Sequence, residues 1–300
     1  APFFRKKQDP ETRLFLSAPQ DEVWDYPVRS CDPGVWYMGY AMVGEVIETG
    51  ADVVGIKTGD IVACSAPHQE ENVIDANAAV VLPKEIPAIN GVLFTNLITA
   101  YNGIMDTHIN LGDVVVISGL GVLGQLLVQM AKMSGAHRVY GIDVLDMRRH
   151  AALENGCDEV FDPSACDVAL EIRRRTGNRG ADKVIEASGN GRALHESIRI
   201  AAPETTVTAL AWYQGALSTV DLSEEFHHNR IGIKQSQTGA MDPVFSNLWD
   251  YERRVETCIR ILERLKTDNL FKEYAYDEIP EAYRVIDQEP EKIIQAVITY

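Results

Sequence analysis

A glycine-rich segment that follows a run of valines has the spacing of a nucleotide-binding turn. It reads VVVISGLGVLGQLLVQMAK, with glycines at Gly119, Gly121 and Gly124. Where such a G-x-G-x-x-G segment joins a strand to a helix, the glycines permit a tight turn, close approach of the backbone to a pyrophosphate, and close packing of helix on strand. The helix N-terminus adds unpaired N–H groups and a partial positive charge. The segment therefore predicts a dinucleotide cofactor.

An acidic residue at the end of the next predicted strand supports this prediction. The strand reads RVYGID and ends at Asp143. A carboxylate at that point can accept hydrogen bonds from both hydroxyls of an adenosine ribose, and it repels a 2′-phosphate. NAD is therefore favoured over NADP, although Arg148 and Arg149 follow closely enough to keep NADP as an alternative.

The segments around these residues alternate between strand and helix patterns. Apolar strand patterns occur at DVVVIS, HRVYGID, DEVFDP, ADKVIEAS and TTVTALAW, and apolar residues recur at helical spacing between them. Such alternation with short connections predicts a parallel sheet with helices on both faces. Residues 1–36 are predicted to be loop-rich with one or two short strands, and 37–65 and 72–86 to be pairs of strands joined by turns.

The bulk composition limits the classes of partner. The chain has 300 residues, which suits two domains, and a net charge of −16, which argues against nucleic acid and an anionic membrane surface. No apolar stretch reaches the ~20 residues needed to span a bilayer. The five cysteines are scattered and form no C-x-x-C, which predicts free thiols in a reducing cytoplasm. A cytoplasmic protein with a small-molecule substrate is expected.

Several further segments carry a family resemblance. GEVIETGADVVGIKTGDIV, LITAYNGI, KVIEASGN and PEAYRVI, with the glycine-rich segment, resemble the medium-chain dehydrogenase/reductase superfamily over essentially the whole chain. The resemblance implies an α/β fold in which a doubly wound, parallel Rossmann sheet (97–237) is inserted into a β-rich, GroES-like catalytic module (1–96 and 238–300). It also implies that the first strands of that module are missing, and that RIGIKQSQT pairs sheets edge to edge in a homodimer.

The resemblance assigns cofactor contacts position by position. The backbone N–H groups of Val122 and Leu123 are implied to face the pyrophosphate, with Leu123 also packed behind the nicotinamide. Arg148 matches a basic residue at the adenosine ribose. The residues implied to lie near the nicotinamide and its ribose are Thr99, Ala187, Ser188, Ala211, Trp212 and Tyr213.

The metal ligands of zinc-containing relatives are replaced in this chain. Those relatives carry G-H-E where the segment MGYAMVGEV has Gly39, Tyr40 and Ala41, and Thr95 stands at the position of a cysteine ligand. Tyrosine and threonine do not replace imidazole and thiolate as zinc ligands. The four-cysteine lobe of structural zinc is also missing from the sequence. We therefore expect no zinc, as in the group that includes bacteriochlorophyllide hydroxyethyl dehydrogenases, which SAPHQE, LITAYNGIMD and WDYERR also resemble.

Hydride transfer without a metal needs another group that stabilises charge on the substrate oxygen. The candidates are Tyr40, Thr95, His68 and Tyr101. Tyr40 either donates to that oxygen or only fills the volume of the metal, and His68 either relays a proton or lies in a surface loop. Thr95 is expected to form a wall of the pocket.

These residues predict a zinc-independent, NAD(H)-dependent oxidoreductase that interconverts an alcohol and a carbonyl. Two alternatives stay open at this point. One is a quinone or enone reductase of the same fold that uses NAD(P)H, in which conjugate reduction spreads the developing charge. The other is a non-catalytic dinucleotide-binding protein.

Overall fold

In a computed structural model of the protein, residues 6–17, 38–213 and 215–300 are described. Strands β1 (Lys6–Gln8) and β2 (Phe15–Ser17) form an antiparallel hairpin, in agreement with the short strands predicted near the N-terminus. The remainder of the loop-rich prediction for 1–36, including Cys31, lies outside the described residues.

A six-stranded parallel sheet forms the centre of the fold and confirms the predicted α/β architecture. All neighbouring strands in it are parallel, and the order is β11-β10-β9-β6-β7-β8. Its strands are β6 (Val114–Ser118), β7 (Arg138–Ile142), β8 (Glu159–Phe161), β9 (Lys183–Glu186), β10 (Thr206–Ala209) and β11 (Gly232–Gln235).

Helices cover both faces of this sheet because its strands are apolar on both sides. In β6, Val115 and Ile117 contribute to the core under α1 and α2, whereas Val114 and Val116 contribute to the core under α4 and α5. This alternation follows from the two-residue period of a strand. The helices are α1 (Phe94–Thr107), α2 (Val122–Met133), α3 (Asp146–Glu154), α4 (Val168–Arg175), α5 (Gly191–Ile200) and the short α6 (Glu225–His228).

The segments on either side of the central sheet form smaller sheets. The first is antiparallel in the order β3-β4-β5, and the second is a parallel pair, β12 and β13. Their elements are β3 (Met42–Glu45), β4 (Ile61–Cys64), β5 (Val80–Val81), β12 (Phe271–Ala275), β13 (Gln295–Thr299), α7 (Tyr251–Leu262) and α8 (Ile279–Gln288). Short 3₁₀ helices span Ala76–Ala78, Ala88–Leu93, Pro243–Phe245, Tyr276–Glu278 and Pro290–Lys292.

The strand pair predicted for 72–86 is not formed. The side chain of Asp75 accepts a hydrogen bond from the backbone N–H of Asn77 at 2.8 Å and caps a 3₁₀ turn. A hydrogen bond from a neighbouring backbone N–H to an Asp side chain stabilises a turn and so competes with strand pairing. Only Val80 and Val81 then pair with β4.

Polar side chains join helices α2 and α3 to the segment 264–270 behind the sheet. Gln129 bonds Lys266 twice: its Nε2 donates to the Lys266 carbonyl oxygen at 2.9 Å, and its Oε1 accepts from the Lys266 N–H at 2.8 Å. Asn155 Nδ2 donates to Gln125 Oε1 at 3.0 Å and to Asn269 Oδ1 at 3.2 Å. These contacts form a polar seam across residues far apart in sequence. No helix in the described part of the chain is both long and apolar enough to cross a bilayer.

Candidate active site

The order of the central sheet creates a crevice where the chain changes direction along it. From β6 the sheet extends one way through β7 and β8 and the other way through β9, β10 and β11. In open α/β sheets a ligand binds outside the carboxyl ends of the strands at such a switch point. Ser118 ends β6 there and pairs with Ile142 on one side and Glu186 on the other.

The glycine-rich turn after β6 is tightly packed. Gly119 has a φ of +93°, and a Cβ placed on it would lie 2.7 Å from the backbone nitrogen of Ser188. A Cβ on Gly124 would lie 2.0 Å from the carbonyl oxygen of Gly119, well inside van der Waals contact. The first and third glycines of the motif are therefore required by the packing of the turn itself.

Gly121 differs because it faces open space. Its φ of −66° suits any residue, and the nearest atom to an added Cβ would be Arg148 Nη1 at 3.9 Å. Gly121 directly precedes α2, whose first-turn N–H groups, including those of Val122 and Leu123, have no acceptor within the helix. The arrangement leaves a cradle over a helix N-terminus that fits a pyrophosphate.

Asp143 lies beside this cradle and is 8% exposed. Its Oδ2 accepts from the N–H of Leu120 at 2.8 Å, and its Oδ1 accepts from the N–H of Leu145 at 2.9 Å. Arg148 Nη1 is 3.8 Å from Asp143 Oδ2, and the buried Nε of Arg148 has no hydrogen-bond partner. The two residues predicted for the adenosine ribose thus lie together.

The residues predicted for the nicotinamide end lie on the loops after β9 and β10. The N–H of Ala187 donates to the Ser118 carbonyl oxygen at 2.8 Å, and the N–H of Ala211 approaches the Glu186 carbonyl oxygen at 3.3 Å. Trp212 is 54% exposed on this loop. Thr99, in contrast, is occupied within α1, where its hydroxyl donates to the Thr95 carbonyl oxygen at 3.2 Å.

Glu186 was missed by sequence reasoning. It ends β9 and is fully buried, and its side chain accepts from the N–H of Ser188 at 2.7 Å and from the hydroxyls of Ser188 and Tyr213. A signal for it is present in KVIEAS, where an acid stands at the carboxyl end of a buried strand, much as Asp143 does in RVYGID. Burial and the adjacent Glu186 carboxylate raise the pKa of Tyr213, which keeps its phenol protonated.

A cleft of about 1380 Å³ lies along β3 and the C-terminal strand β13 and contains two of the predicted catalytic residues. Tyr40 and His68 both line it, as do Asn96 and Arg148. Tyr40 is 45% exposed, which is inconsistent with a purely space-filling core residue. Its hydroxyl donates to Oδ1 of the buried Asn96 at 3.1 Å, so α1 fixes the direction of the phenol.

His68 packs against the backbone of the MGYAMVGEV segment. A Cβ on Gly39 would lie 2.7 Å from His68 Cδ2, and Gly39 has a φ of +90°, so only glycine fits there without strain. The N–H of His68 donates to the Met38 carbonyl oxygen at 2.7 Å, and its ring meets Tyr283 edge-on at 6.5 Å. Burial lowers the pKa of His68, so the imidazole is neutral at pH 7.

The other two catalytic candidates lie elsewhere. Thr95 is half-buried at the start of α1, next to Asn96 but not among the residues that line the cleft. Tyr101 is buried against Trp249, with ring centroids 5.8 Å apart, and burial raises its pKa to about 12. Tyr101 is therefore a packing residue.

Tyr40 itself does not fit as a zinc ligand. The Tyr40 phenol is a hydrogen-bond donor to an amide, and zinc takes imidazole, thiolate or carboxylate ligands. Within 6–17, 38–213 and 215–300, no group of three or more His, Cys, Asp or Glu side chains could hold a metal. Burial also raises the pKa of Cys157 and Cys258 to about 12, which disfavours the thiolate form of both.

Together, the doubly wound sheet, the glycine cradle and the adjoining cleft define a dinucleotide-dependent oxidoreductase of the α/β class. A family model described as "Zinc-binding dehydrogenase" matches residues 122–251. D-guloside 3-dehydrogenase of Shigella flexneri is 31% identical over 307 aligned residues, which cover 100% of this chain and 86% of that protein. L-threonine 3-dehydrogenase of Pyrococcus abyssi is 31% identical over 211 residues, 60% of each chain.

The fold is also that of solved dehydrogenases. 2R,3R-butanediol dehydrogenase from Bacillus subtilis superposes with a TM-score of 0.74 at 20% identity, over 95% of this chain and 87% of that one. The chain belongs to the zinc-binding dehydrogenase family of the medium-chain dehydrogenase/reductase superfamily. It is an NAD(P)-dependent oxidoreductase, so the predicted enzyme class and the Rossmann and GroES-like fold are confirmed.

Substitutions of two glycines in the same turn should have separable effects. Gly124→Ala should lower the free energy of unfolding by about 1–3 kcal/mol, because its Cβ meets the Gly119 carbonyl oxygen. Gly121→Ala should keep wild-type stability but weaken NADH binding by about tenfold or more, because its Cβ projects into the cradle. Urea unfolding and calorimetric titration measure the two effects. A Gly124→Ala protein of wild-type stability, or a Gly121→Ala protein of wild-type affinity, would contradict this account.

The stability of the protein should depend on pH through His68. Its pKa is lowered in the folded state, so the unfolded state binds more protons as the pH falls through the unfolded value of about 6.5. The contribution of neutral, buried His68 to the free energy of unfolding is therefore fully present above the unfolded pKa of about 6.5. It is lost as the pH falls through the lower pKa of the folded state. Urea unfolding at pH 7.5 and pH 5 should show a smaller loss for His68→Gln than for wild type. Equal losses in the two proteins would show that another group controls this pH range.

Proposed function

We propose that the protein is a zinc-independent, NAD(H)-dependent dehydrogenase that interconverts a secondary alcohol and a carbonyl. The observation that carries the proposal is the Tyr40 hydroxyl, which donates to Asn96 and lines the cleft, at the position that the sequence resemblance matches to a metal-binding histidine. We also propose the division into a cofactor-binding part, 97–237, and a catalytic module, 1–96 and 238–300.

The proposed cofactor site would place N–H donors at the pyrophosphate and a carboxylate at the adenosine ribose. The first-turn N–H groups of α2 and the open face of Gly121 take the pyrophosphate. Asp143 accepts the adenosine ribose hydroxyls, and its negative charge disfavours a 2′-phosphate, which is why we propose NAD rather than NADP. Arg148 lies 3.8 Å from Asp143 and partly offsets that charge, so the preference is one of degree. When bound, the nicotinamide accepts or returns a hydride.

Tyr40 and His68 supply the groups that act on the substrate oxygen. The Tyr40 hydroxyl donates its one proton to Asn96, so in this arrangement its oxygen can accept a hydrogen bond from a substrate hydroxyl, and donation to a carbonyl oxygen requires that proton to turn away from Asn96. Oxidation of an alcohol releases a proton from that oxygen, and the neutral imidazole of His68, which lines the same cleft, can accept it. Thr95 and Thr99 lie on α1, the helix that also carries Asn96.

The names of two relatives and the size of the cleft support a class of substrate. Both D-guloside 3-dehydrogenase and L-threonine 3-dehydrogenase are named for oxidation at carbon 3, which in each molecule bears a secondary hydroxyl. The cleft volume of about 1380 Å³ exceeds the ~300–1,000 Å³ of ordinary small-molecule sites. We therefore expect a secondary alcohol on a polar molecule of sugar size or larger.

A panel of substrates and cofactors tests the proposal directly. At least one secondary alcohol among a D-guloside, a linear polyol and L-threonine should be oxidised, with a higher kcat/KM for NAD+ than for NADP+. A chelator such as 1,10-phenanthroline should leave the rate unchanged, because Tyr40 does not fit as a zinc ligand. A known zinc-containing alcohol dehydrogenase, which the same chelator inhibits, is the control.

Two outcomes of this panel would contradict the proposal. Turnover of an enone or quinone with NADPH, without oxidation of any alcohol, would establish the conjugate-reduction alternative. Loss of activity with the chelator and its return with Zn²⁺ would show that the protein uses a metal.

Removal of the Tyr40 hydroxyl should slow the reaction with little effect on the cofactor. Tyr40→Phe should reduce kcat/KM for the alcohol by about 10²-fold, the lower end of the range for a general acid–base group, and leave the Kd for NADH unchanged. Steady-state kinetics and fluorescence titration measure both quantities. Tyr251→Phe, which removes another exposed phenol at the start of α7, is the matched control. An unaltered kcat/KM in Tyr40→Phe would show that the Tyr40 hydroxyl takes no part in the reaction and that the side chain only lines the cleft.

A further inference from the structure

Glu186 is a buried carboxylate whose partners are all neutral. It is fully buried at the end of β9, beside the switch point of the central sheet. The N–H and hydroxyl of Ser188 donate to its Oε1, and the hydroxyl of Tyr213 and the N–H of Gly189, at 3.4 Å, donate to its Oε2. A buried charge is costly unless hydrogen bonds compensate it, and here four donors do so.

These donors belong to two different loops. Ser188 and Gly189 follow β9, whereas Tyr213 lies on the loop after β10, so the two oxygens of one carboxylate join both loops. The loops also touch each other, because a Cβ on Gly189 would lie 3.3 Å from the Trp212 carbonyl oxygen. The backbone of Glu186 contributes as well, since its carbonyl oxygen accepts from the N–H of Leu210 at 2.8 Å.

The same loops contact the cofactor turn. A Cβ on Gly119 would lie 2.7 Å from the Ser188 nitrogen, so the glycine turn rests on the loop that Glu186 holds. A dinucleotide at a switch point extends over both halves of the sheet. Asp143 marks the half made of β7 and β8 as the adenosine side, which leaves the loops after β9 and β10 to the nicotinamide side.

We infer that Glu186 and the Tyr213 hydroxyl are positioning groups that join loops 187–189 and 211–213 into one wall for the nicotinamide half of the cofactor. This inference rests on the proposed cofactor site. It assigns to Glu186 no contact with the substrate or the reacting atoms. The hydrogen bonds to Glu186 fix the separation of the two loops before the cofactor binds. Less conformational entropy of the loops is then lost on binding.

Binding of NADH and of ADP-ribose, which lacks the nicotinamide, tests the inference. Tyr213→Phe removes one donor without changing the volume of the ring. It should raise the Kd for NADH by about tenfold, the loss expected for one hydrogen bond to a charged group, and leave the Kd for ADP-ribose within about twofold. The blue shift of bound NADH fluorescence should decrease in parallel. Glu186→Gln, which keeps the shape but turns one acceptor into a donor, should show the same selectivity.

Tyr140→Phe is the matched control, because it removes the hydroxyl of another buried tyrosine, in β7, that lies outside both loops. It should change neither Kd. Equal weakening of both ligands by Tyr213→Phe, or no weakening of either, would overturn the inference while wild-type binding still supported the proposed site. Wild-type protein that bound neither ligand would overturn the proposed cofactor site, and this inference with it.

Discussion

The carbonyl oxygen of Gly119 lies so close to Gly124 that no side chain fits between them. This contact lets α2 begin directly above the end of β6, where its N-terminus faces the switch point of the sheet. The same turn rests on Ser188, so the loop after β9 is placed relative to the helix. Because Glu186 then joins that loop to Tyr213, one steric constraint in the motif sets the geometry of both halves of the proposed cofactor site.

The residues proposed to act at the substrate are fixed by contacts between distant segments. Tyr40 depends on Asn96, 56 positions later, and His68 lies against Gly39 because the chain returns from β4 to the start of β3. In a family named for zinc, the site that we propose consists instead of a phenol bonded to an amide and a neutral imidazole. In the proposed reaction they act through hydrogen bonds, whereas a metal ion polarises oxygen by charge at short range.

The sequence predicted the central sheet well because its strands and helices are strongly patterned, and Asp143 was found because it ends the strand after the glycine-rich segment, where a ribose-binding acid is expected. Glu186 follows the same pattern in KVIEAS, but glutamate is normally exposed, and nothing local shows that Ser188 and Tyr213 would compensate its burial. The prediction of a second strand in 72–86 was wrong because the Asp75 side chain accepts from the backbone N–H of Asn77 and caps a 3₁₀ turn. Asn96 could not be recognised, because a single polar residue in an apolar helix has no periodic signature.

Because of the polar seam behind the sheet, the cofactor-binding part cannot be exchanged between proteins without also exchanging the segment 264–270. Gln129 lies on the nucleotide helix, but both of its backbone partners are in Lys266, and Asn155 reaches Asn269 in the same way. A transplant of the Rossmann unit that ended before this segment would leave the Gln129 amide without these partners, at a cost of about 1–3 kcal/mol for each group, whereas Asn155 would keep its bond to Gln125. Recombination between members of this family is therefore constrained at a boundary that the cofactor never touches.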